Sequence, residues 1–248
     1  MLSVVIPFYS NIDGLSVLLT LLQTQTKKPD KIIVIDNSPS KIARAITMKY
    51  SINIRIECHV LQQSIYQSWN KGIQLSKGYD IVFVNDDVLV PLDFIELVVK
   101  AMSKKEAYGY VPEGPSITHR GTIFNSNTFS WYSENKKMRL ASTDWLKGYC
   151  FILPKTTIQI IGTFDTSFEL WYGDFDYQER ILRQAEKQSN IMGICKICNL
   201  MIYHYGSNSF SISSREDMIG RDEKQFNNKY YPGANSAILH HILREQDE

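Results

Sequence analysis

Three short apolar runs, at 3–6, 31–35 and 81–84, are each followed by residues spaced for a helix, and that alternation restricts the chain to few architectures. A strand that is apolar at successive positions has to be covered on both faces, the condition of a parallel strand in a layered α/β domain. After the first run, ended by Pro7, Leu15, Leu18, Leu19 and Leu22 recur at helical spacing, with Ser10 and Asp13 as a capping-box-like start. Pro39 and Ser40 open a second helix, reaching residue 49, and an alternating run at 54–60 reads as a third strand. Ser64 and Gln67 form a capping box before a helix that reaches residue 77 and stops at Gly78, and Pro91 opens another, to residue 103. The order βαβαβαβα predicts an α/β fold with a mostly parallel central sheet, right-handed crossovers and flanking helices.

The second half is less regular. Residues 112–144, rich in Ser, Thr, Asn and Gly, read as loops with short strands. Residues 145–153 read as a strand, 154–161 and 174–187 as helices, and 191–197 and 200–204 as two short strands. No linker or internal repeat divides the chain, so one domain over 1–248 is expected.

The 27 Lys and Arg are balanced by 26 Asp and Glu, which argues against a broad polyanion-binding face and hence against nucleic acid as a partner. A local pocket for a diphosphate is compatible with that balance. No apolar run approaches the ~20 residues that span a bilayer, and the N-terminus reads as a first strand, not a signal peptide. Four cysteines are too few for a disulfide scaffold in this length. Cys195 and Cys198 lack two further ligands at zinc-site spacing and read as small strand residues. A cytoplasmic setting is expected, with peripheral contact at the inner face of a membrane left open.

Ligands of open α/β sheets bind beyond the carboxyl ends of the strands. Here those ends carry Pro7-Phe8-Tyr9-Ser10-Asn11, Asp36-Asn37-Ser38 and Asn85-Asp86-Asp87. Any one of them could be a turn or a helix cap; three on one edge point to a ligand site. Two adjacent carboxylates after a buried strand repel each other, and a hard cation such as Mn²⁺ or Mg²⁺ would relieve that repulsion. An Asx-turn into the next helix is the other reading of Asn85-Asp86-Asp87.

Val4-Val5-Ile6-Pro7-Phe8-Tyr9, Ile32 to Ser38, Ser68-Trp69-Asn70-Lys71-Gly72-Ile73 and Phe83-Val84-Asn85-Asp86-Asp87 together resemble glycosyltransferase family 2. The resemblance implies a GT-A, Rossmann-like fold and transfer of a sugar from a UDP- or dTDP-sugar to a hydroxyl of a glycan-type acceptor. It assigns nucleobase and ribose contacts to Pro7, Phe8, Tyr9 and Asp36, and places Asn70 along the donor site. Asn85-Asp86-Asp87 stands as the family's DxD motif, with Asn85 and Asp86 on the donor side and Asp87 as a metal ligand. Asn85 departs from the strict motif at its first position. Later, Trp145 to Leu153, then Gly162-Thr163-Phe164-Asp165 with Phe168 to Asp176, are similar to the family's strand before the acceptor region and its G-x-F-D…E-D-x-D pattern. Gly173 takes the place of the family's Glu; Asp174 is kept at the general-base position of inverting members. His204-Tyr205-Gly206-Ser207 is similar to a late His motif that can complete the metal or diphosphate site, and Asp222 to Tyr230, with Phe226 and Lys229, is similar to a C-terminal motif of some bacterial members. The resemblance covers residues 1–230 and divides the chain into a nucleotide-binding half at 1–110, an acceptor and catalytic half at 111–230, and a tail at 231–248.

Each assignment has a plainer reading beside it. Asp174 and Asp176 at a helix start also favour the helix dipole, which would lower the basicity of Asp174, whereas diphosphate charge nearby would raise it. His204 is either a ligand or a strand residue packed beneath a loop. Trp171 and Tyr172 either stack on an acceptor sugar, with Asp176 beside them, or belong to the core. Two other functions compete: a sugar nucleotidyltransferase, disfavoured because Phe8-Tyr9-Ser10-Asn11 is not a Gly-rich basic phosphate loop, and a non-catalytic sugar-binding protein, which the departures at Asn85 and Gly173 permit.

Overall fold

The computed structural model describes residues 1–50, 56–60, 64–113, 116–117, 123–124, 146–188, 190–205, 212–230 and 232. The first half runs β1 (Leu2–Phe8), α1 (Ile12–Thr24), β2 (Lys31–Asp36), α2 (Ala43–Met48), β3 (Ile56–Val60), α3 (Ile65–Ser76), β4 (Asp80–Val84), β5 (Val88–Leu89) and α4 (Phe94–Ser103). The second adds β6 (Ala107–Glu113), β7 (Ser116–Ile117), β8 (Ile123–Phe124), β9 (Cys150–Leu153), α5 (Lys155–Ile161), α6 (Gly173–Ala185), β10 (Met192–Met201), β11 (Tyr203–His204) and α7 (Ile212–Tyr230). Seven strands form one sheet in the order β10-β6-β9-β4-β1-β2-β3, and β5-β11-β7-β8 form a smaller one. In the large sheet only β9 runs antiparallel to its neighbours, β4 and β6. The expected mostly parallel α/β sheet is what the chain forms.

Alternation along the strands separates two cores. Val4, Ile6 and Phe8 with Ile32, Val34, Val82 and Val84 pack beneath α1, α2 and α4. Val5, Ile33, Ile35, Ile81 and Phe83 face α3, α6 and α7, where Tyr66, Trp69, Tyr177 and Phe226 cover them. α3 comes close because Gly72 has no side chain: a Cβ there would fall inside the Val5 isopropyl group. Its predicted capping box of Ser64 and Gln67 is present, and its end uses two left-handed residues, Lys77 (φ 51°) and Gly78 (φ 81°). Among the described residues no helix is long and apolar enough to cross a membrane.

Several boundaries differ from the sequence expectations. Pro7 lies inside β1; the ladder to β4 stops at the Val5–Phe83 pair, so the missing N–H comes after that ladder has ended. Asn11, not Ser10, caps α1, its Oδ1 accepting from Gly14 N at 3.0 Å. α2 begins at Ala43, because the chain from Asp36 to Ala43 is organised as a turn around the Asp36 carboxylate. α4 begins at Phe94, three residues after Pro91. β9 starts at Cys150, and β3 does not alternate in burial. β6 and α7 had no counterpart in the expected elements. Trp145, Gly206, Ser207 and most of the 231–248 tail lie outside the described residues.

Candidate active site

Because β9 is reversed, its beginning meets the end of β4: Val84 pairs with Cys150, and the Asn85 amide donates to Tyr149 O at 2.9 Å. That register places Gly148 and Tyr149 on the edge where Asn85, Asp86 and Asp87 leave the sheet. β11 reaches the same edge through its antiparallel pairing with β5, His204 opposite Val88, and the Tyr205 amide donates to Asp87 O at 3.0 Å. His204 stacks on Tyr149, with ring centroids 4.1 Å apart and planes 11° from parallel. Its Nε2 lies 3.3 Å from Asp87 Oδ2.

Asp87 Oδ1 is buried and has no hydrogen-bond partner, an expensive condition for a carboxylate oxygen. Asp86 is mostly buried beside it. Burial first, and then the Asp87 charge, push its carboxyl up to about 8, against the amides of Asp86 and Tyr9 that hold it down. A cation would supply the missing partner of Asp87 and remove the repulsion. Among the described residues no group of three His, Cys, Asp or Glu side chains is assembled around one point. On the α1 side, Asn11 Nδ2 donates to Asp86 O at 3.4 Å, and Gly14 lets the start of α1 press on the Asp86 backbone. A cavity of about 250 Å³ opens there, lined by Asn11, Asp13, Asp86, Asp87 and Tyr205 among others.

Asp174 joins this edge from α6. It stands in the first turn, partly exposed, with its Oδ1 accepting from Phe175 N at 3.0 Å. A Cβ on Gly148 would lie 2.8 Å from Asp174 Oδ2, so the glycine both leaves room for the carboxylate and offers it an amide. Burial pushes the Asp174 carboxyl up to about 6, and the amides of Phe175, Asp174 and Gly148 restrain the rise. Gly148 contacts Asp174, and its neighbour Tyr149 stacks on His204, so the acid and the Asp87 cluster share one wall. Gly173, where the resemblance leads one to expect Glu, has no room for a side chain: a Cβ would collide with the Tyr66 ring.

Other residues named from sequence are held differently. Asp36 is fully buried, and its oxygens accept from Ser38 N (2.9 Å), Ser38 Oγ (2.5 Å) and Ala43 N (3.0 Å). The Asn70 amide is clamped on the Phe164 backbone, donating to its O at 2.9 Å and accepting from its N at 2.8 Å. Pro7 and Phe8 are buried in the sheet, and Tyr9 is exposed at the edge. Tyr172 is buried against Phe175 and Phe226 and presents no face for a sugar, while Trp171 is half-buried beside it. Asp176, grouped with the acceptor residues from sequence, is fully buried among Arg180, Lys229 and Tyr230. Tyr66 and Gly148 were given no role from sequence, and Asp222 stood only as the first residue of the 222–230 segment, with no role of its own. Gly148 stood within a quoted motif, but nothing in a sequence marks a glycine as the neighbour of a carboxylate.

The model of glycosyl transferase family 2 matches residues 3–158. No curated protein matches the chain by sequence. Among solved structures, S. aureus TarS residues 1–349 with UDP-GlcNAc is 14% identical, with a TM-score of 0.66 over 98% of this chain and 70% of that one. The UDP complex of the same protein gives a TM-score of 0.62 at 14% identity, with the same coverage. GalNAc-T7 with UDP, GalNAc and Mn²⁺ gives 0.61 at 13% identity, over 100% of this chain and 55% of that one. At such identities the likeness is one of fold.

Proposed function

Because the chain belongs to glycosyl transferase family 2 and carries the GT-A fold, we propose that it transfers a sugar, with inversion, from a UDP- or dTDP-sugar to a hydroxyl of a glycan-type acceptor. The observation that carries this reading is the placement of Asp174. It is a partly exposed carboxylate against Gly148, whose neighbour Tyr149 stacks on the His204 that pairs with Asp87, and it is held by backbone amides with its basicity raised by burial. UDP and UDP-GlcNAc in the TarS structures, and UDP with Mn²⁺ in GalNAc-T7, support the nucleotide-sugar donor and the cation.

In this reading Asp174 takes the acceptor hydroxyl proton as that oxygen bonds to the anomeric carbon, and the bond from that carbon to the diphosphate oxygen breaks with its electron pair on the diphosphate. Asp87, with His204 at its other carboxylate oxygen, would hold a divalent cation, which would offset charge on the departing diphosphate. Tyr9 and Asn85 line the edge where the nucleoside would lie, while Asp36 and Asn70 shape that edge through the backbone they bind.

The test is Asp174→Asn, which keeps shape and removes basicity. Donor affinity is expected to persist while turnover falls ~10²-fold or more, and NMR of the product should show inverted anomeric configuration. Turnover close to that of the unmutated protein, or retained configuration, overturns the assignment.

A further inference from the structure

The segment that presents Asp174 is not held by its own helix. α6 has no side-chain cap, and its first residue is preceded by Tyr172 in the left-handed region at φ 64°. Such a conformation costs a non-glycine residue on the order of 1–3 kcal/mol and persists only where the surroundings impose it. Two buried side chains from distant parts of the chain do so. From the inner side, the Tyr66 hydroxyl on α3 accepts from Gly173 N at 2.9 Å and donates to Leu170 O at 3.0 Å, bridging the turn. From the outer side, the Asp222 carboxylate on α7 accepts from three consecutive amides: Glu169 (3.2 Å), Leu170 (3.0 Å) and Trp171 (2.9 Å). Both residues are nearly inaccessible, at 1% and 2% exposure.

The rest of α7 repeats the grip along the same segment. Arg221 makes a bidentate pair with Glu169 at 2.8 and 2.7 Å. Gln225 bonds Ser167, and Lys229 bridges Asp165 at 2.7 Å and Asp176 at 2.6 Å. Tyr230 donates to Asp176 Oδ1 at 2.7 Å. A carboxylate that gathers successive backbone amides is a strong, charge-assisted anchor, and displacement of a catalytic group by about 1 Å can cost ~10²-fold in rate.

We infer that Asp222 and Tyr66 are positioning residues for Asp174: α7 and α3 clamp segment 169–173 from opposite sides and thereby fix where the carboxylate stands. The inference rests on the reading of Asp174 as the base. It adds that the C-terminal helix belongs to the catalytic apparatus although none of its described side chains is placed at the sheet edge.

The experiment compares Asp222→Asn, Tyr66→Phe and Asp174→Asn. UDP affinity is measured by calorimetry with Mn²⁺, and UDP release from UDP-glucose, UDP-N-acetylglucosamine and dTDP-rhamnose (as dTDP) by turnover assay. Amide hydrogen exchange across 168–174 is followed in parallel. Expected for Asp222→Asn and Tyr66→Phe are a kcat at least ~10-fold lower, UDP affinity within about twofold, and faster exchange in 168–174 with α1 to β4 unchanged. Tyr66→Phe keeps the ring and removes only the hydroxyl, so it carries the test if Asp222→Asn does not fold. Unchanged kcat in both variants with Asp174→Asn inactive overturns the clamp and leaves the base standing. Parallel loss of kcat and UDP affinity makes the role structural and also overturns the clamp. Normal turnover in Asp174→Asn removes the base and the inference with it.

Discussion

Two acids two positions apart on α6 have opposite fates, and the difference sets what each can do. Asp176 is fully buried against Arg180, Lys229 and Tyr230, so its charge serves the fold. Asp174 has backbone amides as its partners and a carboxyl raised to about 6. That rise has two consequences with different signs. A base works ionised, so turnover should be flat above about pH 6 and fall tenfold per pH unit below it; a profile flat to pH 5 would exclude Asp174 as the titrating group. In folding, the unfolded chain ionises near the ordinary value of 3.8 and the folded one near 6. The native state is therefore penalised above about pH 6, by up to about 3 kcal/mol, and not penalised below about pH 4. Asp174→Asn should accordingly raise the denaturation midpoint at pH 8 and leave it almost unchanged at pH 4, readable by denaturant titration at both. That acids two apart on a helix diverge was legible from spacing alone. Which of them is buried was not, because it depends on Lys229 and Tyr230, 53 and 54 residues away.

At the scale of elements, what the sequence disclosed follows from what kind of burial each element uses. β2 and β4 are buried on both faces by their own Ile, Val and Phe, so their runs announce them. β6 carries Gly109 and Pro112, local signals for a loop, and becomes a strand only because β9 and β10 pair with it. α7 was missed for a different reason. Among its described side chains the buried ones are Asp222, Glu223, Phe226 and Asn227, mostly polar, with Ile219 and Tyr230 only partly buried beside them, so hydrophobic periodicity marks it weakly. The Asn-x-Gly pattern shows how far a motif can be read: its position on α3 was clear, but its work is structural as well, Asn70 gripping Phe164 and Gly72 admitting Val5. Gly72→Ala tests the second part. Helix propensity favours Ala by about 1 kcal/mol, whereas forcing a methyl into a packed core costs about 1–3 kcal/mol. Packing should win, giving a lower melting temperature that Val5→Ala, added to the same protein, partly restores. A melting temperature raised by Gly72→Ala alone would show that α3 and β1 have room to separate.

For the whole molecule, the proposed donor edge draws on segments far apart in sequence: the end of β1 with Asn11, the end of β4 with Asp86 and Asp87, the start of β9 with Gly148 and Tyr149, and β11 with His204. A ligand bound there ties both halves of the chain together, so its binding energy should appear as resistance of the whole fold to unfolding. At a free concentration one hundred times its dissociation constant, a ligand of the native state adds about 2.7 kcal/mol. For a chain of this length each kcal/mol raises the melting temperature by roughly 2–4 °C, so UDP with Mn²⁺ should shift it by roughly 5–10 °C. The proposed cation follows from Asp87 Oδ1, which is buried without a partner, and from Asp86 against it; without the cation, UDP would bring its negative charge to the Asp87 carboxylate with nothing to offset it. EDTA should therefore abolish the shift. Asp87→Asn should abolish it too, while its own melting temperature without ligand stays near that of the unmutated protein, because the amide still reaches His204 and the repulsion with Asp86 is gone. A UDP-induced shift of equal size in EDTA would remove the cation from the mechanism, and a shift retained in Asp87→Asn would move its ligands elsewhere on the edge.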